Sequence, residues 1–312
     1  MSTTQPERPK VVRRPGDIIF SRLASTAGVS ILLTLAAVAV FLFIQAIPAL
    51  FGGDIAEDAP DGPFAYVAPY IFGTLYGSIL ALLIATPLAV GIALYISHFA
   101  NRRLAQGLGY LIDLLAAIPS VVYGLWGILV LAPFLTPTYI WLSENLSWLP
   151  FFEGQVSATG RTMATVAVVL AIMILPIMSA IIREVFLQTP RLHEEAALAL
   201  GATRWEMIKM AVIPFGRPGI ISAMMLGLGR ALGETMAVAM VLSPSSNVTL
   251  AILTSQNPNT IAANIALNFP EAGGDYRSLL IGSGLALFLI TMIINMIARY
   301  IISRRAAFSG AN

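Results

Sequence analysis

The sequence predicts an all-α integral membrane protein with six transmembrane helices and both termini on the cytoplasmic side. Hydrophobic residues make up 57% of the chain and charged residues 11%, and the mean hydropathy is +0.82, far outside the range of soluble domains. Six apolar runs, residues 23–47, 67–96, 108–135, 162–182, 218–242 and 279–302, are each long enough to cross ~30 Å of hydrocarbon at ~1.5 Å per residue. Fifteen of the eighteen Lys and Arg residues then fall on one side of the bilayer, which the positive-inside rule makes the cytoplasmic one.

Composition also excludes several functions. The pI near 9.0 accompanies a net charge of only +2, with the basic residues scattered between apolar blocks, so the charge reports topology and not nucleic-acid binding. There is no cysteine, and His98 and His193 lie in different loops, so neither a disulfide framework nor a metal centre is expected. No G-x-x-x-x-G-K-[ST] loop is present, so the chain does not hydrolyse ATP itself. An intramembrane enzyme would need a catalytic pair. The spans offer only Asp113, Arg230 and Glu234, and no enzymatic activity is expected.

Taken in order, residues 1–22 are polar, basic and proline-containing, and read as a disordered cytoplasmic tail before a six-helix domain at 23–312. The run 23–47 is too long for a signal-peptide core and is retained as the first span. Residues 52–63 carry Asp54, Glu57, Asp58 and Asp61 with no basic residue, marking a solvated outer loop. In the second span Gly73, Gly77, Ser78 and Gly91 permit close helix contact, and the turn with His98, Arg102 and Arg103 returns to the inside. A proton-coupling role for His98 would need a buried partner that the sequence does not reveal.

The third span carries Asp113 near its inner edge, close enough to pair with Arg102 or Arg103. Within it, Pro119 frees a backbone carbonyl, while Ser120 and Tyr123 offer hydroxyls one turn apart. Such hydroxyls either hydrogen-bond an oxyanion or mend the kink. Residues 136–160, with Trp141 and Trp148, read as an outer loop carrying a short interfacial helix. The fourth span bends at Pro176, the polar stretch 243–276 holds short helices at most, and Arg299, Arg304 and Arg305 anchor the sixth span inside.

Two stretches show more than greasiness. In the cytoplasmic loop 184–217, Thr189 and Pro190 predict the start of a helix that Gly201 ends in a left-handed conformation. Thr203 and Glu206 form a capping box for a second short helix, which Ile213 and Pro214 are expected to stop. Such a pair is too small to bury a core of its own and needs a surface to lie on. In the fifth span, Arg230 lies ~16 Å along the helix from Gly219, near mid-membrane, where an arginine costs about 2.5–3.5 kcal/mol even on a lenient insertion scale. Glu234 stands four residues on, sharing a small-residue face with Ala223, Gly227 and Ala237. The pair is either a structural ion pair or an anion pathway.

The spacing of Glu195-Ala196-Ala197, Gly201 and Ala211-Val212-Ile213-Pro214 resembles the EAA loop of ABC importer permeases, with Ala211 and Ile213 in place of that pattern's isoleucine and leucine. The segments AAIPSVVYGLWG (116–127) and GLGRALGETMAV (227–238) resemble PstC-type phosphate permeases. The resemblance implies a type I ABC importer permease fold in a bacterial cytoplasmic membrane. It implies that Glu194, Glu195, Ala196, Ala197 and Gly201 dock on a cytoplasmic ATPase, and that Arg230 and Glu234 line a phosphate path. The implied partners are a second, related permease, an ATPase dimer that uses ATP and Mg, an extracytoplasmic phosphate-binding protein, and lipid. The chain itself would bind no cofactor. The sister phosphate permease, a sulfate-type permease and a stand-alone anion channel are the competing readings.

Overall fold

The computed structural model describes residues 15–51, 59–243 and 245–306. The acids Asp54, Glu57 and Asp58 and most of the expected tail lie outside the described residues. Six helical segments long and apolar enough to cross a membrane are present among the described residues.

The bundle is built around α6 (Met163–Leu187), two-thirds of whose apolar window is buried. Helix α2 (Pro63–Leu94) lies along it through Ala81, Ala85, Ala89 and Ala93, all fully buried at four-residue spacing. Methyl-sized side chains on one face let two backbones approach closely, which is how helices gain contact where lipid offers no hydrophobic drive. The opposing surface of α6 supplies Leu170, Ile174, Met178 and Ile182. Helix α9 (Ile213–Leu232) closes on the same core, and a Cβ at Gly227 would come to 2.8 Å of the Met178 sulfur. Helix α1 (Pro15–Phe51) is peripheral and packs along α12 (Gly274–Ala306). It begins eight residues before the expected first span, so residues 15–22 are helical and not part of an irregular tail.

The third span differs from expectation. Residues 102–116 form α3 (Arg102–Ala116), a separate helix with polar and apolar sides, and the span itself is Ser120–Asn145. Pro119 is the reason. It disfavours helical geometry at the residue before it, and it caps the next helix instead of bending a continuous one. The span comprises α4 (Ser120–Trp126), a π-helical turn (Gly127–Leu131) and α5 (Ala132–Asn145). Residues 136–145, expected in an outer loop, therefore continue the helix.

Similar physics joins α8 (Arg204–Met207) to α9. Pro214 was expected to end the second loop helix, but a π-helical turn at Ile208–Val212 precedes it and the helix runs on. A π turn shifts the hydrogen-bond register, and in both π-to-α junctions a proline without an N–H is the second residue of the helix that follows, Pro133 in α5 and Pro214 in α9. Arg204–Leu232 is thus one rod of 29 residues, ~43 Å long.

At the end of the bundle opposite α7 (Arg191–Ala199) and α8, the polar stretch after residue 243 is threaded into the helices. Asn257 is fully buried, accepts the Met163 N–H at 3.4 Å and donates to the Ala251 carbonyl at 2.8 Å. The N–H of Ile261, the first residue of α11 (Ile261–Asn268), donates to Thr74 Oγ1 at 2.9 Å. This wedge reaches α2 only because Gly73 has no side chain: a Cβ there would come to 2.6 Å of the Pro258 carbonyl oxygen. Gly73→Ala is expected to destabilise the purified protein by ~1–3 kcal/mol through overpacking and to lower its melting temperature. Gly91→Ala, on the same helix but with open space around it, should leave the melting temperature unchanged or slightly raised.

Candidate functional site

The sequence LGLGRALGETM carries three glycines within seven residues, and the fifth span breaks there. Helix α9 ends at Leu232 with Gly233 as its C-cap, and α10 (Met236–Val241) starts three residues beyond the glycine. Glycine is a poor helix interior residue and a good terminator, so the register fails between Arg230 and Glu234.

The expected ion pair is not formed. Among the described residues, the single Lys, Arg or His to carboxylate contact within 4.0 Å is His98 with Glu194. The four-residue spacing holds only in an unbroken helix, and Glu234 sits past the break. Its side chain serves the next helix instead: Oε1 accepts the Ala237 N–H at 3.1 Å, and the residue is 7% exposed. Ala223 and Ala237, on the anticipated small face, are buried against neighbouring helices.

Arg230 is half-buried in the last turn of α9, and its Nε is buried without a hydrogen-bond partner. The apolar α10 still extends beyond it by ~9 Å, keeping the guanidinium within the apolar thickness of the bundle. It faces a cavity of about 820 Å³ lined also by Ser222, Glu234 and, from α12, Asn295 and Arg299. Two guanidiniums, two amide or hydroxyl groups and a carboxylate already engaged by backbone make this cavity suited to an anion with several acceptor oxygens. The arginines present fixed charge and donors that cannot be neutralised by proton loss.

Asn295 and Arg299 were not anticipated as site residues, Arg299 having been read as an anchor. A polar pair four residues apart on an otherwise apolar helix is the signal that could have found them. Ser120 and Tyr123 do not line this cavity. The Tyr123 hydroxyl donates to the Leu115 carbonyl at 2.9 Å across the α3–α4 break, so it mends the interruption at Pro119. Tyr123 is nevertheless within electrostatic reach of Arg230, and α4 packs against α10. Ser120, the first residue of α4, is half-buried and makes no side-chain hydrogen bond among those described.

The loop between α6 and α9 carries the second group of residues singled out in the sequence. Helix α7 is capped by Pro190 and not, as expected, by Thr189, whose buried hydroxyl is unpartnered. Gly201 ends the turn at φ +86° as anticipated. The capping box is formed, Thr203 Oγ1 accepting from Glu206 N and Glu206 Oε2 accepting from Thr203 N. Ala197, Met207 and Ile208 anchor the loop in the core, while Glu195, Ala196, Leu192, Leu198 and Leu200 face outward, Leu200 being 85% exposed. Glu194 turns back toward the bundle, its Oε1 3.6 Å from His98 Nε2 at the end of the second span. His98 Nδ1 lies 2.6 Å from the Ser97 hydroxyl, and its ring meets Phe186 of α6 edge-on. His98 thus has a half-buried acidic neighbour that the sequence did not reveal. Because α8 continues through the π turn into α9, this end of the loop and Arg230 lie on one continuous helical segment.

The chain matches a family model described as binding-protein-dependent transport system inner membrane component over residues 85–306. It is 43% identical to a phosphate transport system permease protein PstC 2 of Mycobacterium tuberculosis, covering 96% of each chain. It is 40% identical to the PstC protein of Mesorhizobium japonicum, over 95% of this chain and 92% of the relative. Among solved structures, a chain of a bacterial ABC transporter involved in the import of the acidic polysaccharide alginate superposes with a TM-score of 0.64 at 17% identity, covering 92% of this chain and 95% of that one. A second structure of a bacterial alginate ABC transporter, in complex with a pentasaccharide-bound periplasmic protein, gives 0.64 at 18% identity, over 93% and 94%. These likenesses establish the type I ABC importer permease fold.

If Glu234 acts as a cap and not as the ion-pair partner of Arg230, the two substitutions should separate. Glu234→Gln keeps an oxygen for the Ala237 N–H and should leave thermal stability close to wild type, whereas Glu234→Ala should lose ~1 kcal/mol. In a double-mutant cycle read by thermal melting, the Arg230–Glu234 coupling energy should be below ~0.5 kcal/mol.

Proposed function

The chain belongs to the family of binding-protein-dependent transport system inner membrane components, multi-pass permease subunits of the bacterial inner membrane, and on that premise we propose that it forms one half of the path by which phosphate is imported at the expense of ATP. The observation that carries the reading is the cavity at the helix break, where Arg230 and Arg299 stand without carboxylate partners within ion-pair range among the described residues. An arginine pair in a low-dielectric wall attracts an oxyanion strongly enough to draw it from water. Glu234, held by the α10 backbone, keeps one negative charge beside the pair and limits how firmly the anion is retained.

The remaining half of the path comes from a second, related permease, and an extracytoplasmic binding protein delivers the phosphate. On the opposite side, which the basic residues make cytoplasmic, Glu195, Ala196, Leu192, Leu198 and Leu200 dock in a cleft of an ATPase dimer that uses ATP and Mg. Both termini lie on that side. Closure of the ATPases moves α7, and the unbroken α8–α9 rod carries the displacement toward Arg230, alternating access to the cavity. The Glu194–His98 contact links the same movement to the end of α2.

Arg230→Gln is expected to reduce phosphate uptake to background in cells lacking their own phosphate permease, while the variant still co-purifies with the ATPase. Gly201→Leu, which forces a side chain into a left-handed backbone position, should do the opposite in assembly and lose the ATPase on purification. Normal uptake by Arg230→Gln would remove the arginine from the path. Competition of uptake by sulfate as strong as by phosphate would assign another oxyanion.

A further inference from the structure

A second basic cavity, separate from the Arg230 site, lies between α3, α6 and the end of the second span, on the side of α7. It has a volume of about 490 Å³ and is lined by Arg102, Gln106, Tyr110 and Asp113 of α3, Arg183 of α6, and Ser97. The Arg183 Nε is buried without a partner, and neither arginine has a carboxylate within 4.0 Å among the described residues. Asp113 shares the cavity, leaving two positive charges against one negative. Gly109 makes room for the guanidinium, since a Cβ there would collide with Arg183 Nη1.

Helix α3 is built to lie in the membrane interface. Its 15 residues have a polar edge formed by Arg102, Gln106 and Asp113, and an apolar side on which Leu104, Leu111 and Leu114 are 43%, 49% and 67% exposed. A helix of this pattern rests in the interfacial plane with its apolar face toward acyl chains. Tyr110, 76% exposed at the mouth of the cavity, has the apolar body and polar tip typical of that depth. The cavity thus sits where headgroups are, beside apolar side chains that would flank acyl tails.

We infer that the Arg102–Arg183 cavity binds the phosphate group of an anionic phospholipid. A phosphodiester carries one negative charge, which the net charge of the cavity neutralises, and guanidiniums match its paired oxygens. Gln106 and Ser97 offer further donors for a glycerol or phosphate oxygen. Occupancy would hold α3 against α6, next to the His98–Glu194 contact, and so tie lipid composition to the stability of the coupling side.

The assembled importer, reconstituted in phosphatidylcholine vesicles with or without phosphatidylglycerol and then extracted in mild detergent, tests this by native mass spectrometry. Wild type should retain phosphatidylglycerol through washing, and the double variant Arg102→Gln/Arg183→Gln should retain at least several-fold less. Arg102→Lys/Arg183→Lys, which keeps the charge, should recover part of the retention, and Arg217→Gln, a control outside the cavity, should retain it fully. Equal retention by wild type and the double glutamine variant would overturn the proposal. In vesicles lacking phosphatidylglycerol, inorganic phosphate is offered instead: retention with the same dependence on the two arginines would assign the cavity to the free anion and overturn the lipid assignment. The intact complex, checked by its mass, excludes misassembly as the cause of any loss.

Discussion

Arg230 is a permanent cation kept within the apolar thickness of a membrane protein, and the structure around it is arranged so that no carboxylate cancels it. A continuous helix would have brought Glu234 alongside and closed the charge into a structural pair. The interruption at Gly233 prevents that, and Glu234 is spent on the N–H of Ala237. An unpaired arginine inside an apolar bundle is costly, ~2.5–3.5 kcal/mol at a span's centre, and is tolerable only if water or an anion reaches it. The cavity shared with Arg299 and Asn295 supplies that access. The helix break and the capping role of Glu234 belong to one electrostatic arrangement, on which the proposed oxyanion path rests.

The same helix is continuous with the cytoplasmic-side loop. A proline two residues into α9 would normally end whatever preceded it, yet the π turn at Ile208–Val212 lets the capping-box helix of the loop run on to Leu232. A displacement of α8 is therefore passed along one continuous helical segment to the arginine, while α7 joins it through the turn at Gly201. Gly216 and Gly227 let α9 pack closely on α6, against Phe186 and Met178. The His98–Glu194 contact gives the loop a second attachment, to α2.

Much of this was legible in the sequence because membrane helices announce themselves by length and apolarity, and because caps are local. The left-handed Gly201 and the Thr203–Glu206 box depend on neighbouring residues alone and are found where the sequence predicts them, and the fourth span, read from Thr162, starts within one residue of it at Met163. What the sequence could not display was tertiary. Periodicity alone joined α3 to the third span, since an amphipathic helix beside an apolar one looks like a longer run until Pro119 is given its due. The spacing of Arg230 and Glu234 suggested a pair only on the premise of an unbroken helix. His98 found Glu194, and Arg299 joined Arg230, through folding that brings distant stretches together.

The central claim, that the Arg230 cavity is a water-filled and anion-selective part of the path, is most directly tested by thiol accessibility, because the chain contains no cysteine of its own. Gly229→Cys places a single thiol on the cavity lining beside the guanidinium. In the assembled importer, an anionic methanethiosulfonate reagent should modify this thiol faster than a cationic one of similar size, and phosphate should slow the anionic reaction. A thiol that only membrane-soluble reagents reach, or that reacts faster with the cationic reagent, would contradict the account.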